Sequence, residues 1–184
     1  NRFTIMGIPN LEDLPHYVWE DYRNWEGRWE IIDGVAYAMS PAPSVRHQEI
    51  SQKIAQQLGN LLANCKQCRA ILPVDWRIAD DIVVQPDNSI VCGFSQKSYL
   101  ETPPQVIFEI LSPSTAKKDK TTKLHLYEKH KVQYYCIIDP DIEIADIYQL
   151  TNGKYQILAK GLDPVVTFEL DNCKIDFDFS LIWS

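Results

Sequence analysis

Apolar and polar positions follow two rhythms along this chain. From Ser44 the rhythm is helical: Ile50, Ile54, Leu58, Leu61 and Leu62 form one stripe, and Ser44 is placed to cap it. Elsewhere the apolar runs are short and bounded by turn residues, which predicts strands. Trp29–Met39 reads as a hairpin, with Asp33-Gly34 supplying the positive φ values of its turn. Ala70–Ile78 and Ile82–Val91 read as strands separated by Asp80-Asp81, and Val106–Leu111 as a central buried strand. Ser112-Pro-Ser-Thr115 ends that strand and starts a helix expected to reach about Lys131. Gln133–Asp139 is a further strand, Ile142–Leu150 and Tyr155–Lys160 form a hairpin around Asn152-Gly153, and Val165–Leu170 and Cys173–Asp176 add short strands. Leu11–Tyr22 reads as a short helix limited by Pro15. The order predicts a mixed α/β (α+β) protein: a central mixed sheet flanked by helices, with hairpin additions at both ends. With no repeat and no linker, residues 1–184 read as a single domain, of which 1–28 form an N-terminal extension without an assigned structure.

Two strands carry a carboxylate that a core strand would not choose for stability. Asp87 follows Ile82-Val83-Val84 and Pro86, and Glu109 sits inside Val-Ile-Phe-Glu-Ile-Leu. Alternation places Ile107, Glu109 and Leu111 on one side of their strand. An unpaired carboxylate there costs several kcal/mol or takes up a proton, whereas one that faces a cation avoids both. Asp87 and Glu109, brought together, would be hard oxygen ligands for Mg²⁺. Glu30, between Trp29 and Ile31, reads equally as an exposed alternate position or a site-facing group. His47 shares the face of Ile50 and Ile54 and reads as a core or capping residue or as part of a site, while Glu49 falls off the stripe.

Charge and cysteines narrow the picture. The net charge of −7 creates no global field for a polyanion, so nucleic acid must meet a local patch. Lys117–Lys131 offers one, with six lysines against one aspartate and one glutamate. Cys65-x-x-Cys68 lacks the second pair that a zinc site needs, and the five cysteines suit a reduced, cytoplasmic protein. Neither a membrane span nor a signal peptide is evident, so no membrane partner is expected.

The residues Glu30-Ile-Ile-Asp33-Gly34, Met39-Ser-Pro-Ala-Pro43, His47-Gln48, Val84-Gln-Pro-Asp87, Glu109-Ile-Leu-Ser-Pro-Ser-Thr115, Asp119-x-x-x-Lys123 and Ile138-Asp-Pro140 stand in the order typical of one family. From about Trp29 to about Tyr155 the chain resembles the restriction endonucleases of the Uma-two type, within the PD-(D/E)XK nuclease superfamily. The resemblance implies a restriction-endonuclease-like core and hydrolysis of DNA phosphodiesters with Mg²⁺ (or Mn²⁺). It implies Asp87, Glu109 and the Ile110 carbonyl as metal ligands, with Glu30 and His47 beside the catalytic set. The lysine normally found two residues after the glutamate is here Leu111. Lys123 is its expected replacement, with Asp119 one turn back on the same helix face and Tyr127 one turn on as an anchor. Gln105 and Asn88 are further departures, at a position where relatives carry an aspartate and at one that is usually apolar. DNA is the expected partner, and a homodimer is left open. A catalytically silent binding module is the alternative, and a metal-free sugar hydrolase built on paired carboxylates is a more distant one.

Overall fold

The computed structural model describes residues 11–40, 42–93 and 95–184. A 3₁₀ turn, Leu11–Asp13, precedes α1 (Trp19–Tyr22) and the hairpin β1 (Trp29–Ile32) and β2 (Val35–Ala38). Asp33 and Gly34 take φ values of 51° and 77°, the pair of positive angles that a two-residue hairpin turn requires. Then follow α2 (Val45–Leu61), β3 (Cys68–Ile71), β4 (Trp76–Ala79), β5 (Ile82–Val84), β6 (Asn88–Cys92) and β7 (Val106–Ile110). The remaining elements are α3 (Ala116–Lys120), α4 (Thr122–Lys129), β8 (Tyr134–Asp139), β9 (Ile144–Thr151), β10 (Lys154–Gly161), β11 (Val165–Leu170) and β12 (Cys173–Asp178).

Among the described residues these strands form a mixed six-stranded sheet, β10-β9-β8-β7-β6-β3, a four-stranded sheet, β2-β1-β5-β4, and the hairpin β11-β12. In the larger sheet β7 and β8 run parallel, and the α3–α4 segment makes the crossover between them. This mixed α/β architecture, with a central mixed sheet and few helices, is the one the polarity pattern predicts.

Strand β7 shows how the sheet divides the core. Val106, Phe108 and Ile110 face Ile50, Ile54 and Leu58 of α2 together with Phe168 and Phe177 of the β11-β12 hairpin. Ile107 and the next residue on its side after Glu109, Leu111, face Trp76, Val84, Tyr127 and Tyr135. Each of these buried side chains contributes about 1.5–3 kcal/mol of apolar transfer. Ser44 accepts a hydrogen bond from the His47 amide at 3.1 Å, which fixes the start of α2.

Four expectations need correction. The stretch read as one strand from Ala70 to Ile78 is broken around Pro73 into β3 and β4, which lie in different sheets. Ile82–Val91 is likewise broken at Pro86: β5 belongs to the smaller sheet and β6 to the larger. The helix expected to run to Lys131 is two helices, because Thr121 leaves helical geometry at φ −121° and ψ −73°. Finally, the cysteines are not all reduced. Cys65 is bonded to Cys173 and Cys68 to Cys92, leaving Cys136 free and buried. Sheet register puts Cys68 directly across from Cys92, with Cα atoms 4.0 Å apart.

Candidate active site

The break at Pro86 is what positions the site. The chain leaves the smaller sheet at Val84 and enters the larger one at Asn88, so Asp87 lies at the junction. Asn88 pairs with Phe108 across the β6-β7 ladder, which sets Asp87 beside Glu109. The Ile110 amide donates to Asp87 Oδ2 at 2.8 Å, tying the carboxylate to the end of β7. His47 Nε2 approaches the same oxygen at 3.4 Å from the first turn of α2. Burial opposes the imidazolium, but the hydrogen bond and charge of Asp87 prevail and raise the His47 pKa above its ordinary value.

Glu109 is nearly inaccessible, and its Oε1 accepts from Lys123 Nζ at 3.2 Å and from the Tyr127 hydroxyl at 2.9 Å. Lys123 is equally buried and comes from α4. Its ammonium also donates to Glu30 Oε1 at 2.9 Å and lies 3.6 Å from Asp119 Oδ1. Glu30 comes from β1 in the other sheet, where it is completely buried. It also takes the Gln85 amide at 3.1 Å and Lys118 Nζ at 3.2 Å. One lysine therefore joins carboxylates from both sheets and from its own helix pair.

The charges do not cancel. Lys123 meets Glu30, Glu109 and Asp119, Lys118 also meets Glu30, and Asp87 meets only His47 at the edge among the ion pairs of the described residues. Burial would raise the Glu30 carboxyl, yet Lys123, Lys118 and the Gln85 amide hold it below the usual carboxylate range. Glu109 goes the other way: burial, with Asp87, Asp119 and Glu30 nearby, outweighs its share of Lys123 and pushes its carboxyl well up. Lys123 is opposed by burial but held charged by Glu109, Glu30 and Asp119. The centre is thus short of positive charge beside Glu109. A divalent cation fits that shortage and the oxygen donor set. Among the described residues no three His, Cys, Asp or Glu side chains form a ready-made metal cage. Two carboxylates and the Ile110 carbonyl would leave other positions to water and substrate, as Mg²⁺ commonly does.

These groups open on a cleft of about 990 Å³, whose lining includes Asp87, Glu109, Ile110, Lys118, Lys123 and His47. All the candidates, Glu30, His47, Asp87, Glu109, Ile110 and Lys123, therefore share one cavity. Gln105 is not part of its lining; its backbone joins Ile90 and Tyr134 just before β7. Leu111 packs with Trp76 and Tyr127, so a lysine there would meet apolar neighbours. Sequence reasoning missed three features. Lys118 turns inward to Glu30 and lies 4.7 Å over the Tyr37 ring, so the lysine-rich segment is not one solvated face. Tyr127 is a direct donor to Glu109 as well as an anchor. Asn88 is buried at a usually apolar position but is satisfied by the hydroxyl and the carbonyl of Ser51, at 3.0 and 3.2 Å.

The central mixed sheet of this fold has a counterpart among solved structures. A solved structure from Anabaena variabilis, described as "a putative nuclease belonging to DUF820", matches 90% of this chain and 97% of its own, with a TM-score of 0.72 at 17% identity. At that identity the likeness concerns the fold. Residues 19–172 match the model of the Uma2 family, described as "Putative restriction endonuclease", and the chain belongs to that family. An uncharacterized protein of Synechocystis sp. is 28% identical over 149 residues, 76% of this chain and 77% of that protein.

Proposed function

We propose that this protein is a divalent-metal-dependent endonuclease that hydrolyses DNA phosphodiesters, with the lysine of a PD-(D/E)XK-type site carried on α4. One observation carries the reading. Lys123 reaches Glu109 at 3.2 Å although it lies fourteen residues further along the chain, and position 111 is an apolar packing residue. That contact supports reading Lys123 as the ammonium that position 111 does not provide.

Asp87, Glu109 and the Ile110 carbonyl would hold Mg²⁺ (or Mn²⁺), which when bound polarises the phosphodiester and acidifies a water. The chain's own groups do the positioning. The Ile110 amide and His47 fix Asp87 Oδ2, and Oδ1 would be the oxygen that holds the ion. Tyr127 and Lys123 fix Glu109 Oε1, leaving Oε2. Lys123 keeps positive charge next to the reacting centre, and Lys118 adds a second ammonium in the cleft lining, where charge develops on the phosphate.

The test is supercoiled-plasmid cleavage with Mg²⁺, with Mn²⁺ and with EDTA, beside calorimetric metal titration of the wild type and Glu109→Gln. Metal-dependent nicking that is lost in Glu109→Gln supports the proposal. One observation favours the silent binding module: Lys123 is already engaged by carboxylates. DNA binding with no cleavage under either metal would select that module.

A further inference from the structure

The cleft contains a cation that takes no part in the carboxylate network. Arg28 lies just before β1, two residues from Glu30, and lines the cleft with Asp87, Glu109 and His47. Its guanidinium is held at one edge. Nε donates to Gln85 Oε1 at 3.2 Å, and the Gln85 amide nitrogen is itself held by Tyr22 Oη and Asp75 Oδ1, both at 2.8 Å. The other edge is not held: Arg28 Nη2 is a buried donor without a hydrogen-bond partner among the described residues. Three other cations of the cleft have partners nearby. Lys118 and Lys123 lie on carboxylates, and Arg46 is spent on Glu143 and the Trp183 carbonyl.

A buried, unmet guanidinium N–H is costly, the more so because it is charged, unless something arrives to accept it. The acceptor must be small enough for the cleft and preferably anionic. An arriving anion would meet the free edge of Arg28. The planar fork of a guanidinium, already oriented by Gln85, suits the paired non-bridging oxygens of a phosphodiester.

We infer that Arg28 is a substrate-contacting residue, a clamp for a backbone phosphodiester of the nucleic acid bound in this cleft. The inference rests on the nuclease reading for the identity of the phosphodiester, and on the geometry of Arg28 for the anion site. Arg28 adds a cation to a cleft lining that also holds Asp87, Glu109, Lys118 and Lys123. It thereby holds the strand in register while the carboxylates and Lys123 act.

Two measurements test it. In the first, the Arg28 side-chain Nε–Hε resonance is followed by NMR while a 12-base-pair DNA duplex is added in EDTA, so that no cleavage occurs. A saturable shift of that resonance, weakened by added salt, is expected. In the second, plasmid cleavage is measured for Arg28→Gln and Arg28→Lys, with melting temperatures alongside. A fall of about 10²–10³ in kcat is expected for Arg28→Gln, with partial return in Arg28→Lys. A resonance that stays still at saturating DNA overturns the inference. So do unchanged kcat and KM in folded Arg28→Gln, even if its melting temperature falls. If Arg28→Gln does not fold, Arg28→Lys, which keeps the charge but not the fork, decides by the same criterion. A shifted resonance in a wild type that never cleaves supports the phosphodiester clamp and removes the nuclease reading instead.

Discussion

Replacing Lys123 with methionine removes one ammonium while nearly preserving side-chain volume. The residue is 2% exposed, and the change strips Glu30 and Glu109 of contacts at 2.9 and 3.2 Å and Asp119 of one at 3.6 Å. Breaking a buried ion pair by deleting one partner costs about 3–5 kcal/mol. That is a large part of the 5–15 kcal/mol by which domains are ordinarily stable. The loss should depend on pH in a definite direction. In the wild type Glu30 is held below its ordinary value, so its stabilisation is complete above the unfolded carboxyl pKa and vanishes only as pH falls through the lowered folded value. Without Lys123, burial raises the folded value of Glu30 above the unfolded one, and those of Glu109 and Asp119, already raised by burial in the wild type, rise further. The folded variant then binds more protons than its unfolded chain, so its stability falls as pH rises, by up to about 1.4 kcal/mol per pH unit for each carboxyl involved. Urea unfolding followed by tryptophan fluorescence at pH 5, 6.5 and 8 measures this. The gap between wild type and Lys123→Met should be smallest at pH 5 and exceed about 3 kcal/mol at pH 8. A gap that is constant with pH, or below about 1 kcal/mol at pH 8, would refute the reasoning. The same geometry means that Lys123 substitutions are not clean probes of catalysis, and their activities need to be read beside their stabilities.

Tyr127→Phe removes one of the donors to Glu109 Oε1 and should cost about 1–3 kcal/mol by chemical denaturation, less than Lys123→Met. The His47 imidazole, titrated by NMR, should have a pKa above its ordinary value, and Asp87→Asn should return it downward. Because that folded value is raised, the stability contributed by the His47–Asp87 contact is complete below the unfolded pKa and lost as pH rises through the folded one; a folded His47 pKa below 6.5 would contradict this. Unreduced protein unfolded in guanidinium should show one reactive thiol, from Cys136, and five after reduction; five without reduction would remove both cross-links.

The carboxylates at the centre were legible because strand alternation makes Glu109 an anomaly, and the register of its neighbours then brings Asp87 beside it. Lys123 was legible through its spacing from Asp119 and the family resemblance. Glu30 could not be decided from its neighbours, since a strand between packed layers buries consecutive residues and alternation no longer marks the inner face. The break at Pro86 was visible as a residue, but its result, transfer of the chain between sheets, depends on pairing partners far away in sequence. The disulfide partners are hidden for the same reason: 108 residues separate Cys65 from Cys173. Arg28 carries no local signature at all, because its significance lies in the partner that its Nη2 lacks.

The reach of Lys123 across both sheets has a consequence for the order of events in folding. Glu30 stands 93 residues before Lys123, and Glu109 only 14 before it. Contacts over the longer span close late, because the loop entropy they cost must be met before they return any energy. The β7–α4 half of the centre can therefore assemble while β1 is still undocked, with Glu109 and Lys123 paired but Glu30 absent. Such an intermediate has an ammonium only partly restrained and a cleft missing one wall. The complete centre exists only once both sheets have met, so competence to act on a substrate would report the last docking step of the chain, and recovery of cleavage during refolding should lag behind recovery of secondary structure.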